Sequence, residues 1–562
     1  MATASQQSEN STAIESADVD VVVIGAGFAG LYLIYRLREM GFSVQGIERA
    51  GGVGGTWYYN RYPGCRCDSE SHVYCYSFSD YLLNEWGYSE RYPEQEEILE
   101  YLNFAADHLE VRDDIRFETE VESAAFDEES GTWEISTDTD FHVSSQHLIL
   151  AVGPLSQPYI PEFDGIDDFE GELYVTARWP HEPVNFREKD VAVVGTGSSG
   201  VQTIPRVADE ADQLTVYQRT PNYVVPARNR PLDEDERGRI QENYDEIWET
   251  ARNTNSGHPF ESRLNNVEEH SEEEITEALE ERWQQGGFRF FLTFENLLTH
   301  RPTNERVCEF IRDKIRERLD DPELAEKLTP NDHPYGAKRP PLDYENYYET
   351  YEEDHVSLVD VREHPIEKFT QTGIQTADSH RDHDAVILAT GFDAVTGSFT
   401  NLDIQGRNQT ALNEKWSGRP RSYLGVSVDQ FPNLHLISGP QSPSAITNQP
   451  VSIEQQVEWV TDCIDYLRQN DFTHIEAKEE SIEKWVEHSN AIAEKTVYND
   501  ADSWYVGENI PGKARVMLPY PGGFNNHRDH CDDIAANGYE GFELAESIQD
   551  LDHVPASSSV QL

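Results

Sequence analysis

The hydrophobic pattern repeats itself at two places along the chain. An unbroken apolar run, Val21-Val22-Val23-Ile24, leads into Gly25-Ala26-Gly27-Phe28-Ala29-Gly30, then a stretch of helical period from Leu31 to Gly41 and a second apolar run ending at Glu48. The same succession returns as Val191-Ala192-Val193-Val194, Gly195-Thr196-Gly197-Ser198-Ser199-Gly200, a helical stretch from Val201 and the run Leu214-Thr215-Val216-Tyr217. Apolar runs of this kind read as strands buried on both faces, and the switch of period behind the glycines reads as strand, tight turn and helix. The glycines let the strand turn sharply, bring backbone N–H groups against a pyrophosphate and aim a helix N-terminus at its negative charge. Two such units predict two dinucleotides held at once, one at Gly25, Gly27 and Gly30, the other at Thr196, Gly197, Ser198, Ser199 and Gly200.

The residue closing each second strand separates the two sites. Glu48 can accept hydrogen bonds from ribose hydroxyls, which suits FAD or NAD. The corresponding position of the second unit carries Gln218, Arg219 and Thr220 and no acid. An arginine there attracts a 2′-phosphate that a carboxylate would repel, so NADPH is expected.

Further along, the apolar strand at Leu148–Val152 runs into a proline-rich crossing, residues 153–163, and the run at 384–395 ends in a similar way. Two crossings predict that the second domain is inserted in the first. The expected fold class is α/β, with two Rossmann-like dinucleotide-binding domains, the NADP domain inserted in the FAD domain, plus a helical insertion. The boundaries are an FAD domain over 1–157 and 391–562, an NADP domain over 158–230 and 333–390, and the insertion over 231–332, where helical period is clear in 272–285 and 305–319. Residues 1–18 and the last ten read as loose tails.

Composition narrows the partners. With 105 acidic against 44 basic residues the formal net charge is −61, a surface that repels nucleic acid and anionic membranes. Aromatic content of 11% and well-formed apolar runs argue against disorder, leaving adaptation to high salt, where screening relieves self-repulsion, as the reading of the acidity. Six scattered cysteines form neither a disulfide framework nor a metal pattern. No signal sequence and no apolar stretch of membrane length is present, so a cytoplasmic setting is expected.

Two further segments carry more specific chemistry. Gly54-Gly55-Thr56-Trp57-Tyr58-Tyr59-Asn60-Arg61-Tyr62-Pro63-Gly64-Cys65-Arg66-Cys67-Asp68 and Phe169-Glu170-Gly171-Glu172-Leu173-Tyr174-Val175-Thr176-Ala177-Arg178-Trp179-Pro180 resemble the two signatures of the type I Baeyer–Villiger monooxygenases. The resemblance runs from Val21 to about Gly541 and is nearest the phenylacetone monooxygenase branch. It implies an NADPH-consuming flavoenzyme that adds one oxygen atom of O2 beside a ketone carbonyl through a flavin C4a-peroxide. It further implies that Arg339 and Asp68 are the catalytic pair and also touch the flavin. Lys338 would join Arg219 and Thr220 on the NADPH 2′-phosphate. Cofactor contacts are implied at Thr56, Trp57, Arg66, Tyr74, Val121, Gln202 and Gln449, with Trp504 on a loop that closes over the nicotinamide. The loop Pro443–Gln449 and Leu155 would border the substrate. A fixed guanidinium suits this chemistry because it stabilises a peroxide anion and the oxyanion formed at the carbonyl.

One position departs from the family: Val175 stands where the second signature has histidine, and valine can neither donate a hydrogen bond nor titrate. Altered NADPH handling or coupling is expected. Two alternatives stay open at this stage, a flavin S- or N-oxygenase and a flavoprotein that oxidises NADPH or senses redox state without oxygenating. The physiological ketone and the oligomeric state, a monomer among the options, are left open.

Overall fold

The computed structural model describes residues 15–551. Its first sheet has eight strands, and at its centre Glu15–Ile24 lies parallel between Val44–Ile47 and Phe141–Leu150. Val21, Val22 and Val23 are fully buried, as a central parallel strand covered on both faces requires. The antiparallel hairpin Val121–Asp127 and Thr132–Thr137 extends one side, and two short strands from much later in the chain, Asp403–Gln405 and Leu434–Leu436, pair into the same sheet. The second sheet has five strands, in the order Val356–Asp360, Gln213–Gln218, Asp190–Val194, Ala385–Leu388 and Glu172–Val175, with parallel neighbours throughout.

The expected N-terminal tail is too long. Glu15 already pairs with Phe141 and Asp18 with Ser144, because the ten-residue neighbour Phe141–Leu150 offers a continuous row of backbone partners that outweighs the polar composition of this stretch. Residues 1–14 of that tail, and the C-terminal tail from 553 onwards, lie outside the described residues.

Two connections join the sheets, and they run side by side. Tyr159 N–H donates to Gly391 O (2.9 Å), Asp393 N–H to Gln157 O (2.9 Å) and Thr390 Oγ1 to Tyr159 O (2.6 Å). Between the short parallel partners Val225–Pro226 and Leu342–Asp343 the chain makes an excursion of helices, among them Glu272–Gln285, opened by a Ser271/Glu274 capping box, and Arg301–Arg318. The long helix Gln449–Gln469 returns to the first sheet and docks on Phe28–Glu39, where Arg36 donates to Thr461 Oγ1 (2.7 Å) and Asp462 (2.6 Å).

Candidate active site

The first glycine turn is a cradle that side chains would fill. Gly25 has φ +106°, and a Cβ there would sit 2.6 Å from Ala151 O. Gly30 lies behind the turn, where a Cβ would stand 1.9 Å from Gly25 O; its work is to let helix Phe28–Glu39 pack against the strand. Glu48 is buried at the end of the second strand, accepting hydrogen bonds from Ala26 N–H and Ala50 N–H, both 2.8 Å. Burial pushes its carboxyl up from the usual range against those two bonds.

The second turn is built alike. Gly195 has φ +114° with Ala389 O 2.4 Å from a hypothetical Cβ, and Gly200 repeats the part of Gly30, 2.2 Å from Gly195 O. Thr196 Oγ1 donates to Thr220 O (3.2 Å), fastening the turn to the end of the next strand. Arg219 and Lys338 face the space above this turn without an ion pair or hydrogen bond among the described residues. The Lys338 ammonium is pushed below the usual range by burial, with Asp332 opposing and Arg219 adding to the fall. Two cations with no ion pair among the described residues thus border the cavity beside the second turn, in a chain of net charge −61.

Both cradles open into one cavity of about 840 Å³. Except for Gly30 and Gly200, every site residue expected from the sequence borders it: Gly25, Gly27, Glu48, Thr56, Trp57, Arg66, Asp68, Tyr74, Val121 and Gln449 with the first cradle, Thr196, Gly197, Ser198, Ser199, Gln202, Arg219, Thr220, Lys338, Arg339 and Trp504 towards the second. Leu155 also borders it, as do Ala445 and Thr447 of the expected substrate loop. Buried polar atoms left without protein partners, Gln449 Nε2, Ser398 Oγ, Ser438 Oγ, Ser503 Oγ and Asn509 Oδ1, belong to residues of this wall. A cradle that a Cβ would close and a ring of unsatisfied polar atoms fit nucleotide ligands.

Arg339 borders the cavity that both cradles share. Its Nε and Nη2 donate to Asp68 Oδ2 at 2.9 and 2.8 Å, its Nη1 to Ala445 O at 3.3 Å, and its guanidinium lies 4.3 Å from the centre of the Phe288 ring. Burial alone would make this cation easier to discharge, but the Asp68 charge, with Tyr505, the Asp68 hydrogen bonds and Cys67 adding to it, holds it above the usual guanidinium range. The Tyr505 phenol, next to Trp504 in sequence, lies against the same guanidinium, and burial pushes it up to about 12. On the other wall Trp57 Nε1 donates to Tyr74 OH (3.1 Å), the two rings meeting edge to face.

Two expected contacts have a different character from the one the signatures suggest. The Arg66 guanidinium is spent on Glu90 (2.6 Å), Glu94 (2.5 Å) and Tyr92 O (3.0 Å). Its backbone instead meets Gln202, whose Oε1 also accepts from Tyr62 OH (2.8 Å), so the first signature is stitched to the helix of the second cradle. Val175, the departure from the family pattern, closes the edge strand Glu172–Val175 opposite Leu388 and packs on the apolar cluster of the second sheet. Sequence reasoning missed Phe288, Glu70, Tyr505 and His258. His258 is buried with Nδ1 unpartnered, and burial, with Arg339 nearby, pushes it down to about 4. Only Tyr505 and Glu70 had a signal, as near neighbours of Trp504 and Asp68.

Residues 18–233 match the family model for flavin-binding monooxygenase-like proteins, and relatives matched over nearly the full length set the class, a flavin-dependent monooxygenase. Over nearly its whole length the chain is 42% identical to a Baeyer–Villiger monooxygenase of Pseudooceanicola batsensis, covering 95% of this chain and 97% of that one. The solved complex of OTEMO with FAD and NADP superposes with a TM-score of 0.90 at 40% identity, covering 94% of this chain and 99% of that one. The chain belongs to the Baeyer–Villiger monooxygenase family. A phenazine N-monooxygenase of Lysobacter antibioticus is also 40% identical, over 93% of this chain and 97% of that protein.

Proposed function

We propose that this protein binds FAD and NADPH and inserts one oxygen atom of O2 beside the carbonyl of a small ketone, giving an ester or lactone. The observation that carries this reading is the Asp68-clamped Arg339 on the wall of the one cavity into which both dinucleotide cradles open. Bound FAD, reduced by NADPH, supplies the activation of dioxygen. Gly25 and Gly27 would take the FAD pyrophosphate, Glu48 its ribose, and Thr56, Trp57, Tyr74, Val121 and Gln449 its remaining parts. Thr196–Gly200 would take the NADPH pyrophosphate, with Arg219, Thr220 and Lys338 on the 2′-phosphate; Gln202 and the Arg66 backbone would brace the domain contact, and Trp504 would cover the nicotinamide.

Arg339 is assigned the catalytic role. Held rigid by Asp68, its guanidinium offers a fixed positive charge to the reacting oxygen and to the oxyanion that develops at the ketone carbonyl, in a site screened from water by the Trp504 segment. Leu155 and the loop around Ala445 would shape the ketone pocket. The same reading assigns 1–157 and 391–562 to the FAD domain and 158–230 and 333–390 to the NADP domain, supported by the sheets these segments share. All six cysteines are free and buried, which suits a reducing, cytoplasmic setting; among the described residues no helix is long and apolar enough to cross a membrane.

The 40% identity to a phenazine N-monooxygenase, against 42% to the Baeyer–Villiger relative, supports a second reading, oxygen transfer to nitrogen. The test is product analysis: purified protein, FAD, NADPH and air in molar KCl with phenylacetone or cyclohexanone. An ester or lactone one oxygen heavier supports the proposal. NADPH consumption with peroxide alone, or oxygen delivered only to an aromatic nitrogen or a thioether, overturns it.

A further inference from the structure

Asp68 and Glu70, two residues apart, each reach out of the first domain to an arginine. Asp68 holds Arg339. Glu70, buried, holds Arg289: Nε donates to Oε1 at 2.8 Å and Nη2 to Oε2 at 3.0 Å. Arg289 directly follows Phe288, whose ring carries the Arg339 guanidinium at 4.3 Å. The contacts therefore close a ring: Asp68 to Arg339, Arg339 to Phe288, along the chain to Arg289, across to Glu70, and back along the chain to Asp68. Its members come from three segments far apart in sequence.

The Arg289 link exceeds what charge balance demands. Arg91, from Glu70's own part of the chain, already donates to Glu70 Oε1 at 2.6 Å. Burial would raise the Glu70 carboxyl, but the Arg289 hydrogen bonds, His72 and the charges of Arg289 and Arg91 hold it well below the usual carboxylate range. The second arginine adds a fixed bidentate geometry between the domain and the helical excursion. The Arg289 guanidinium is itself held over the Phe260 ring at 3.9 Å.

We infer that Glu70 is a positioning residue for Arg339: by anchoring Arg289 it fixes the Phe288 ring against which the catalytic guanidinium rests, and so sets where that charge stands relative to the flavin. The inference rests on the reading that Arg339 faces bound FAD. A cavity of about 570 Å³ bordered by Glu70, Arg91 and Arg289 lies beside the ring, so a small carboxylate can enter if the Glu70 side chain is removed.

A positive charge near the flavin favours its anionic reduced form, so loosening that charge lowers the reduction potential. The experiment measures the midpoint potential of bound FAD in the parent, Glu70→Gln, Arg289→Lys and Arg339→Ala proteins, together with NADPH consumed per product formed. All three variants are expected to have lowered potentials, Arg339→Ala the most, and the first two to waste NADPH. In Glu70→Ala, millimolar acetate is expected to restore the potential towards the parent's, which it does not do for Glu70→Gln. Parent-like potentials in Glu70→Gln and Arg289→Lys, with Arg339→Ala shifted, overturn the inference while leaving the functional reading intact. No shift in Arg339→Ala overturns the placing of Arg339 at the flavin, and this inference with it. An FAD-loaded Glu70→Ala that is indifferent to acetate also counts against it.

Discussion

Arg339 and Asp68 lie 271 positions apart in sequence, and the arginine places both of its hydrogen bonds, 2.9 and 2.8 Å, on a single carboxylate oxygen. That geometry belongs to a planar fork rather than to a point charge. Arg339→Ala should therefore abolish ester formation while leaving FAD bound and reducible by NADPH. Arg339→Lys keeps the charge but loses the fork, and oxygenation should fall by about a hundredfold, about 2.7 kcal/mol of transition-state stabilisation. Single-turnover reduction and product analysis separate the two effects.

Arg219 and Lys338 predict cofactor choice. Replacing Lys338 with alanine should raise the KM for NADPH about tenfold or more, equivalent to about 1.4 kcal/mol, while the KM for NADH stays nearly constant, because only the former carries the 2′-phosphate. Parallel KM measurements with the two nucleotides check this. Equal effects on both would remove these cations from the 2′-phosphate.

Val175 packs on an apolar cluster, so Val175→His places an imidazole against hydrocarbon. A loss of stability of about 1–3 kcal/mol is expected, visible as a lower Tm. The ratio of NADPH consumed to product formed should also change. An identical ratio at equal Tm would make the departure from the family signature neutral.

Glu454 predicts a pH dependence. It is buried, accepts hydrogen bonds from Ser77 N–H (2.5 Å) and from Ser77 Oγ, and burial pushes it up to about 7. Its folded pKa lies above its unfolded one, so the native state holds the proton more tightly. The stabilisation is full below about 4.5 and is lost as pH rises through about 7, amounting to about 3 kcal/mol. Glu454→Gln, which resembles the protonated acid, should flatten the fall in Tm between pH 5 and pH 8 and be the more stable protein at pH 8.

The formal net charge of −61 predicts that Tm rises as KCl is increased into the molar range, because salt screens the repulsion between surface carboxylates. A Tm unchanged from low to molar KCl would separate the acidity from any adaptation to salt.

The two glycine turns, with Glu48 and Arg219 at the strand ends behind them, were legible because they are built from local rules, whereas Asp68, Lys338 and Arg339 came only through the family resemblance. A Gly25 that must adopt φ +106° under Ala151 O can hardly be another residue, and the switch from apolar run to helical period marks the turn around it. What stayed hidden depends on tertiary distance. Nothing near Phe288 says that its ring will carry a guanidinium from position 339, and nothing near Arg66 says that Glu90 and Glu94 will consume its charge. Glu15 reads as part of a polar tail, and only the partner strand beginning at Phe141 makes it a strand residue.

The paired crossings 153–163 and 389–395 act mechanically as a single strap. Tied edge to edge by the hydrogen bonds of Tyr159, Thr390 and Asp393, they bring both covalent connections between the sheets together on one seam. The Trp504 segment is riveted to this strap, through Asn509 Nδ2 on Phe392 O (2.7 Å) and Lys513 on Asp393. The place where the chain passes between the two sheets is thus also the place where the Trp504 segment is fastened, so one short seam sets the position of both.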